Sequence, residues 1–273
     1  MPELPEVETV RRGLVPYLEG RVIERVEILD PRLVRPRAPT DISPALTGRR
    51  VERLERRGKW LVFRLSGGVS AVHHLRMTGS FAAPDQPEPS HVRMRYFVSG
   101  LDGPIRYNDP RRFGTLDVGS DDEIDALLDS KLGPEPLDDA WTGDTFHAAI
   151  HHRTAPLKAV LLDQKVVAGL GNIYVDEACF LAGVRPDLPA DRLSKPRARR
   201  LVDAVKDRLI EAIAVGGSTL RDYRGVEGDA GGMQERFYAY GRAGKPCLVC
   251  GATMRGARVA GRSTSWCPHD QKG

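Results

Sequence analysis

No stretch of the 273-residue chain approaches the roughly 18 consecutive apolar residues of a membrane-spanning helix, so nothing in it reads as a span. The opening MPELPEVETV is acidic and has no apolar run, which argues against a secretory signal. Neither a repeat nor a low-complexity block is present, which excludes solenoids and compositionally disordered tails. Cysteine is scarce: of four, three crowd the last 27 residues, a distribution unlike a disulfide framework. What remains is 41% hydrophobic and 29% charged, the composition of a globular cytosolic chain long enough for two domains.

The net charge is only +4, but it is unevenly spread. From residue 241 onward Arg242, Lys245, Arg255, Arg258, Arg262 and Lys272 face a single acid, Asp270. A basic tail of this kind suits a phosphate-bearing partner, although such a run is equally a solvated face.

The hydrophobic pattern changes along the chain. Pro5, first-turn acids Glu6 and Glu8, and Val7, Val10 and Leu14 at helical spacing predict a helix at the start, with Gly13 weakening it. From Val22 to Val118, short β-rich runs broken by turns predict a sandwich or flattened barrel, and the proline-rich stretch 82–90 a surface loop. Helices are expected at 121–132, 144–152, 156–164, 172–183 and 194–215, with 132–137 a linker. Residues 218–243 are glycine-rich, an expected mobile loop, and Cys179 reads as core.

The tail runs Cys247-x2-Cys250, then sixteen residues, then Cys267-Pro-His269-Asp270. Two knuckles joined by a hairpin of this length give the spacing of a zinc ribbon. The fourth position holds Asp270, which keeps the register; His269, the more usual ligand type, is one residue short.

MPELPEVET, RRGK (56–59), HLRMTG (74–79), NDPRRFG (108–114), LLDQ (161–164), GLGNIYVDE (169–177) and GRSTSWCP (261–268) occur in this order. Together they resemble the bacterial formamidopyrimidine-DNA glycosylases over residues 2–268. The resemblance implies an α+β fold: a β-sandwich with a leading helix (2–133), a helix-two-turn-helix domain (134–220), a lesion loop and connector (221–243) and a zinc ribbon (244–273). It implies a monomeric cytoplasmic, nucleoid-associated enzyme of base-excision repair that binds duplex DNA carrying oxidised purines or abasic sites. Zinc, one structural ion on Cys247, Cys250, Cys267 and Asp270 or His269, is the only cofactor implied. Leu4 and the TLRDY segment (219–223) favour oxidised purines over the pyrimidine preference of the sister endonuclease VIII group.

Residue roles follow from that resemblance. Removal of Met1 would leave Pro2 as a secondary amine, and an α-amino group titrating near pH 8, roughly, is partly neutral at physiological pH. Such an amine can attack C1′ and form a Schiff base. Glu3 corresponds to the general acid/base at the sugar ring, Glu6 to an orienting carboxylate, Lys59 to a proton donor in β-elimination, and Arg262 to a group assisting δ-elimination. Met77, Arg111 and Phe113 match the trio that fills the gap left by an everted nucleotide. His91, Arg153, Lys158 and Asn172 are the implied phosphate contacts. A non-catalytic DNA-binding relative would lack at least one of Pro2, Glu3, Lys59 and Arg262; all are present.

Overall fold

The computed structural model describes residues 2–219 and 224–273, so four residues of TLRDY lie outside it. It divides into two compact units: residues 1–130 with 215–234, and 131–214 with 235–273. Among the described residues no helix is long and apolar enough to cross a membrane.

The first unit begins with helix α1 (Leu4–Leu18), whose Val7, Val10, Leu14 and Leu18 are fully buried. Each such side chain contributes roughly 1.5–3 kcal/mol by leaving water. Gly13, the weak point of the predicted helix, has a packing role: Val226 lies against it, 3.0 Å from where a Cβ would stand. Then follow β1 (Ile23–Ile28), α2 (Pro39–Leu46), β2 (Val51–Arg57), β3 (Trp60–Leu65), β4 (Val69–His74), β5 (Ser80–Ala82), β6 (Val92–Val98), β7 (Ile105–Asn108), β8 (Thr115–Ser120) and α3 (Asp121–Lys131). The strands form two antiparallel four-stranded sheets, ordered β1-β6-β7-β5 and β2-β3-β4-β8. Phe63 and Leu61 of one and Tyr96, Tyr107 and Phe81 of the other share a single core with α1. This is the sandwich rather than a barrel.

Two elements depart from the all-strand reading of residues 22–118: α2, and a 3-10 turn at Pro31–Val34. Pro39 opens α2, Asp41 accepts the Ala38 N–H at 3.2 Å, and Ile42 and Leu46, four apart, are buried. That i,i+4 pair was the available signal; Pro44 inside the helix obscured it.

The second unit carries α4 (Gly143–Ile150), α5 (Leu157–Leu162), α6 (Asn172–Leu181), α7 (Lys195–Ala214) and the hairpin β9 (Arg255–Val259)–β10 (Arg262–Trp266). The helices lie within two residues of their expected ends. α7 buries Leu201, Val202, Val205 and Leu209 and packs on α4 and α6. The β9–β10 turn is Ala260–Gly261, both at positive φ (51° and 71°), the twist a two-residue hairpin favours.

The glycine-rich segment is less slack than expected where it is described. Gly225 N–H donates to Asp229, Ala83 N–H donates to Val226, and Val226 is 2% exposed.

Candidate functional site

Topology gathers one set of side chains at one end of the sandwich. In sheet β2-β3-β4-β8, register pairs Arg57 with Trp60, Trp60 with His74, and His74 with Thr115. That end therefore holds the Gly58–Lys59 hairpin, the loop leaving His74 and the loop entering Thr115. In the other sheet Asn108 pairs with Ser80 and Val92. The chain crosses between sheets twice here, through 75–79, which carries Met77, and through 109–114, which carries Arg111 and Phe113.

Gly58 takes a positive φ of 57°, the corner a tight two-residue turn requires, and this sets Lys59 at the hairpin tip, 6% exposed. The start of α1 is tied to the same tip: the Glu8 carboxylate lies 3.5 Å from the Arg56 guanidinium, which also donates to the Gly58 carbonyl at 3.0 Å. Burial pushes the Glu8 carboxyl up, but hydrogen bonds from Arg11 and Arg12 and the nearby Arg56 charge hold it below its usual value.

Pro2 is buried ahead of that helix, and Glu3 and Glu6 are each 2% exposed. Glu6 Oε2 accepts the Glu3 backbone N–H at 2.9 Å, while Oε1 accepts the Ser218 N–H at 2.8 Å and its hydroxyl at 3.0 Å. Glu6 thus spans from the residue after Pro2 to the root of the glycine-rich 218–243 segment.

Phe113 is 51% exposed, with the Arg111 guanidinium 4.7 Å from its ring centroid, and Met77 is half-buried. Neither apolar residue is core. His91 is exposed, its Nδ1 2.7 Å from the Ser90 hydroxyl and its N–H donated to Asn108 Oδ1 at 3.0 Å.

In the second unit the LLDQ and GLGN segments interlock. Gln164 accepts the Gly169 N–H at 2.9 Å and donates to the Leu162 and Leu170 carbonyls, while Gly169 sits at φ 83°. This fixes the start of α6, where Asn172 is half-buried and donates to the Ser263 carbonyl at 3.1 Å. Arg153 pairs with Asp163 at 3.1 Å.

Lys158 requires a correction. It was expected on a phosphate-facing surface, yet it is fully buried, donating to Asp176 at 2.6 Å and to the Ser263 carbonyl at 2.9 Å. Desolvation of an ammonium is tolerable only with such partners, and they leave it no surface for a phosphate. Burial raises the Asp176 carboxyl well above its usual value, against the lowering effect of Lys158. Lys158 and Asn172 therefore both grip the carbonyl adjoining the exposed Arg262.

Sequence reasoning missed Asp176, Glu177 and Asp109, all buried. Glu177 accepts three consecutive backbone N–H groups, Tyr238 to Tyr240, at 2.8–2.9 Å. All three stand inside the ordered motifs, Asp109 in NDPRRFG and Asp176 and Glu177 in GLGNIYVDE; for the last two the local signal was an acid in an otherwise apolar run.

In the tail, ligand atoms of Cys247, Cys250, Cys267 and Asp270 all lie within 4.8 Å of one another. Three thiols and one carboxylate converging in this way fit zinc in kind and number, and are too soft a set for magnesium or calcium. His269 stands outside the cluster, 72% exposed, its Nδ1 3.0 Å from Asp270 Oδ1.

Three family models cover most of the chain. They are described as the formamidopyrimidine-DNA glycosylase N-terminal domain (residues 1–116), its H2TH domain (132–224) and the zinc finger found in FPG and IleRS (244–273). The chain is 42% identical over 274 residues to the formamidopyrimidine-DNA glycosylase of Hahella chejuensis, with all of both chains covered. Among solved structures, a mutant Lactococcus lactis FPG in complex with Fapy-dG-containing DNA is 37% identical, with a TM-score of 0.91 and full coverage of both chains. The wild-type Lactococcus lactis FPG with DNA containing an oxidised pyrimidine is 36% identical, with a TM-score of 0.90 and the same coverage.

Proposed function

The chain belongs to the formamidopyrimidine-DNA glycosylase family, base-excision repair enzymes with glycosylase and abasic-site lyase activities, and from that footing we propose how it acts and on what. It is a DNA glycosylase acting on damaged DNA. Its substrates are oxidised purines, 8-oxoguanine and formamidopyrimidines, in duplex DNA that it engages as a monomer.

With Met1 removed, the Pro2 nitrogen attacks C1′ of the everted nucleotide. The C1′–base bond breaks and its electron pair leaves with the base, which takes up the proton that the attacking nitrogen sheds. Glu3 protonates the ring oxygen as the C1′–O4′ bond opens, and the nitrogen lone pair completes an iminium. Loss of a proton from C2′ then expels the 3′ phosphate, with Lys59 the proton donor, and Arg262 assists departure of the 5′ phosphate. Glu6 orients Glu3 through its backbone. Met77, Arg111 and Phe113 fill the gap in the duplex. His91, Arg153 and Asn172 hold phosphates, and Lys158 acts on them only through the Ser263 strand. Asp270 is the fourth zinc ligand, beside Cys247, Cys250 and Cys267, and the ion is structural.

The observation carrying this reading is the buried first turn itself. Pro2, Glu3 and Glu6 are buried at the start of α1, which Glu8 ties through Arg56 to the Gly58–Lys59 hairpin, in a unit the family model matches. Borohydride treatment with an 8-oxoguanine duplex is expected to trap a covalent complex, and an uncleaved N-terminal extension is expected to abolish it. Trapping that survives the extension removes Pro2 from its role. The relative bound to an oxidised pyrimidine favours a second, wider reading of the substrate range; excision from a panel of purine and pyrimidine lesions separates the two.

A further inference from the structure

The two crossovers that carry Met77, Arg111 and Phe113 are joined by one side chain. Asp109, 1% exposed, follows β7 directly. Its Oδ1 accepts the hydroxyl of Thr78, the neighbour of Met77. Its Oδ2 accepts the N–H of Gly114, the neighbour of Phe113, at 2.8 Å. Thr78 Oγ1 in turn accepts the Arg111 N–H at 3.3 Å. The Asp109 carbonyl takes the Arg112 N–H at 3.3 Å and Arg93 Nε at 2.9 Å.

Beneath this carboxylate lies the Tyr107 ring. A methyl at either Gly79 or Gly114 would overlap its hydroxyl, so both loops close directly upon it. Each loop also holds one non-glycine residue in the left-handed region, Arg76 at φ 55° and Arg112 at φ 58°, beside the residues of the trio. Such conformations persist only where the surroundings over-determine them.

We propose that Asp109, acting with Thr78, is a positioning residue that presets Met77, Arg111 and Phe113 as one wedge. The inference rests on the reading above that this trio fills the gap of an everted nucleotide. A carboxylate is needed because two donors from separate loops require two acceptor oxygens at once. Tied together, the loops enter the base stack already ordered. Untied, the ordering cost falls on the eversion step and leaves phosphate binding unaffected.

The test uses the full chain. Thr78→Val, close in shape, removes the hydroxyl and keeps the Gly114 tie; Asp109→Asn keeps the shape of the carboxylate; Thr78→Ser restores the hydroxyl. Met77→Ala and Phe113→Ala are measured alongside. The readouts are single-turnover excision of 8-oxoguanine, fluorescence of 2-aminopurine placed opposite the lesion, borohydride trapping on a preformed abasic site, and affinity for undamaged duplex.

Thr78→Val and Asp109→Asn are expected to slow excision and weaken the fluorescence change by about 10- to 100-fold, the scale of a small misplacement of a preorganised group. Undamaged-duplex affinity and abasic-site trapping stay within about 3-fold, and Thr78→Ser recovers wild-type rates. Wild-type excision by Thr78→Val, or equal loss across all four readouts, overturns the proposal when Met77→Ala and Phe113→Ala are themselves impaired in eversion. If those two behave as wild type, the trio reading fails, and this inference with it.

Discussion

Glu6 accepts the backbone N–H of Ser218 at 2.8 Å across a chain separation of 212 residues. Its other carboxylate oxygen holds the N–H of Glu3, next to Pro2. Gly217 is close enough to Glu6 that a Cβ there would stand 2.9 Å from its carboxylate. One buried acid thus ties the first turn of α1 to the root of the glycine-rich segment that follows α7.

Glu6→Ala is accordingly expected to leave buried N–H donors of Glu3 and Ser218 without this acceptor. Each unsatisfied buried group costs about 1–3 kcal/mol. Thermal unfolding is expected to register that loss, and borohydride trapping on 8-oxoguanine duplex to fall by about 10- to 100-fold as Glu3 loses its orientation. Wild-type trapping by a folded Glu6→Ala protein removes the orienting role.

His73 makes stability depend on pH. It is fully buried among Phe63, Phe81, Tyr96 and Tyr107, and burial pushes its pKa down to about 3. An unfolded histidine takes up its proton below pH of about 6.5, while the folded one stays neutral until about 3. Stability is therefore complete above the unfolded value and is lost progressively as pH falls from 6.5 toward 3. Between pH 7 and 5 the loss is about 2 kcal/mol. His73→Phe leaves the Tyr96 hydroxyl without its partner and lowers stability at pH 7, but is expected to flatten the pH 5–7 dependence of the urea midpoint.

Removing the Asp270 carboxylate is expected to reduce bound zinc to well under one ion per chain after dialysis against a chelator. His269→Ala is expected to retain the ion, since its imidazole stands beside Asp270 rather than among the converging atoms. Elemental analysis of Asp270→Ala and His269→Ala distinguishes them; the reverse pattern makes His269 the ligand.

Lys158→Met is expected to destabilise the chain by about 3–5 kcal/mol, because it strands a buried carboxylate at Asp176. Lys158→Met with Asp176→Leu is expected to regain most of that loss, since neither charge is then left buried alone. The double variant still lacks the tie to the Ser263 carbonyl, so its cleavage of abasic DNA remains below wild type. Urea titrations and strand-cleavage gels on the three proteins check both halves.

Much of this molecule was legible in order along the chain. Local rules sufficed for α1, α3, the four helices of the second unit and the hairpin of the tail, because apolar spacing, capping residues and glycine turns act within a few positions. The cysteine spacing pointed to the metal cluster on the same footing, and the ordered motifs marked the family. The amino-acid sequence alone also supplied the chemical types of Pro2, Glu3, Lys59 and Arg262.

Tertiary structure decided what depends on contacts between distant segments. It buried Lys158 where an exposed phosphate ligand was expected, because the acid that neutralises it sits eighteen residues away on another helix. It gave Gly13 its purpose through Val226. It brought Thr78 and Gly114 onto one carboxylate, and Glu3 and Ser218 onto another. Hydrogen bonds between loops carry no periodicity, so no local pattern announces them; only the closing of two sheets and a helix around one core sets them in place.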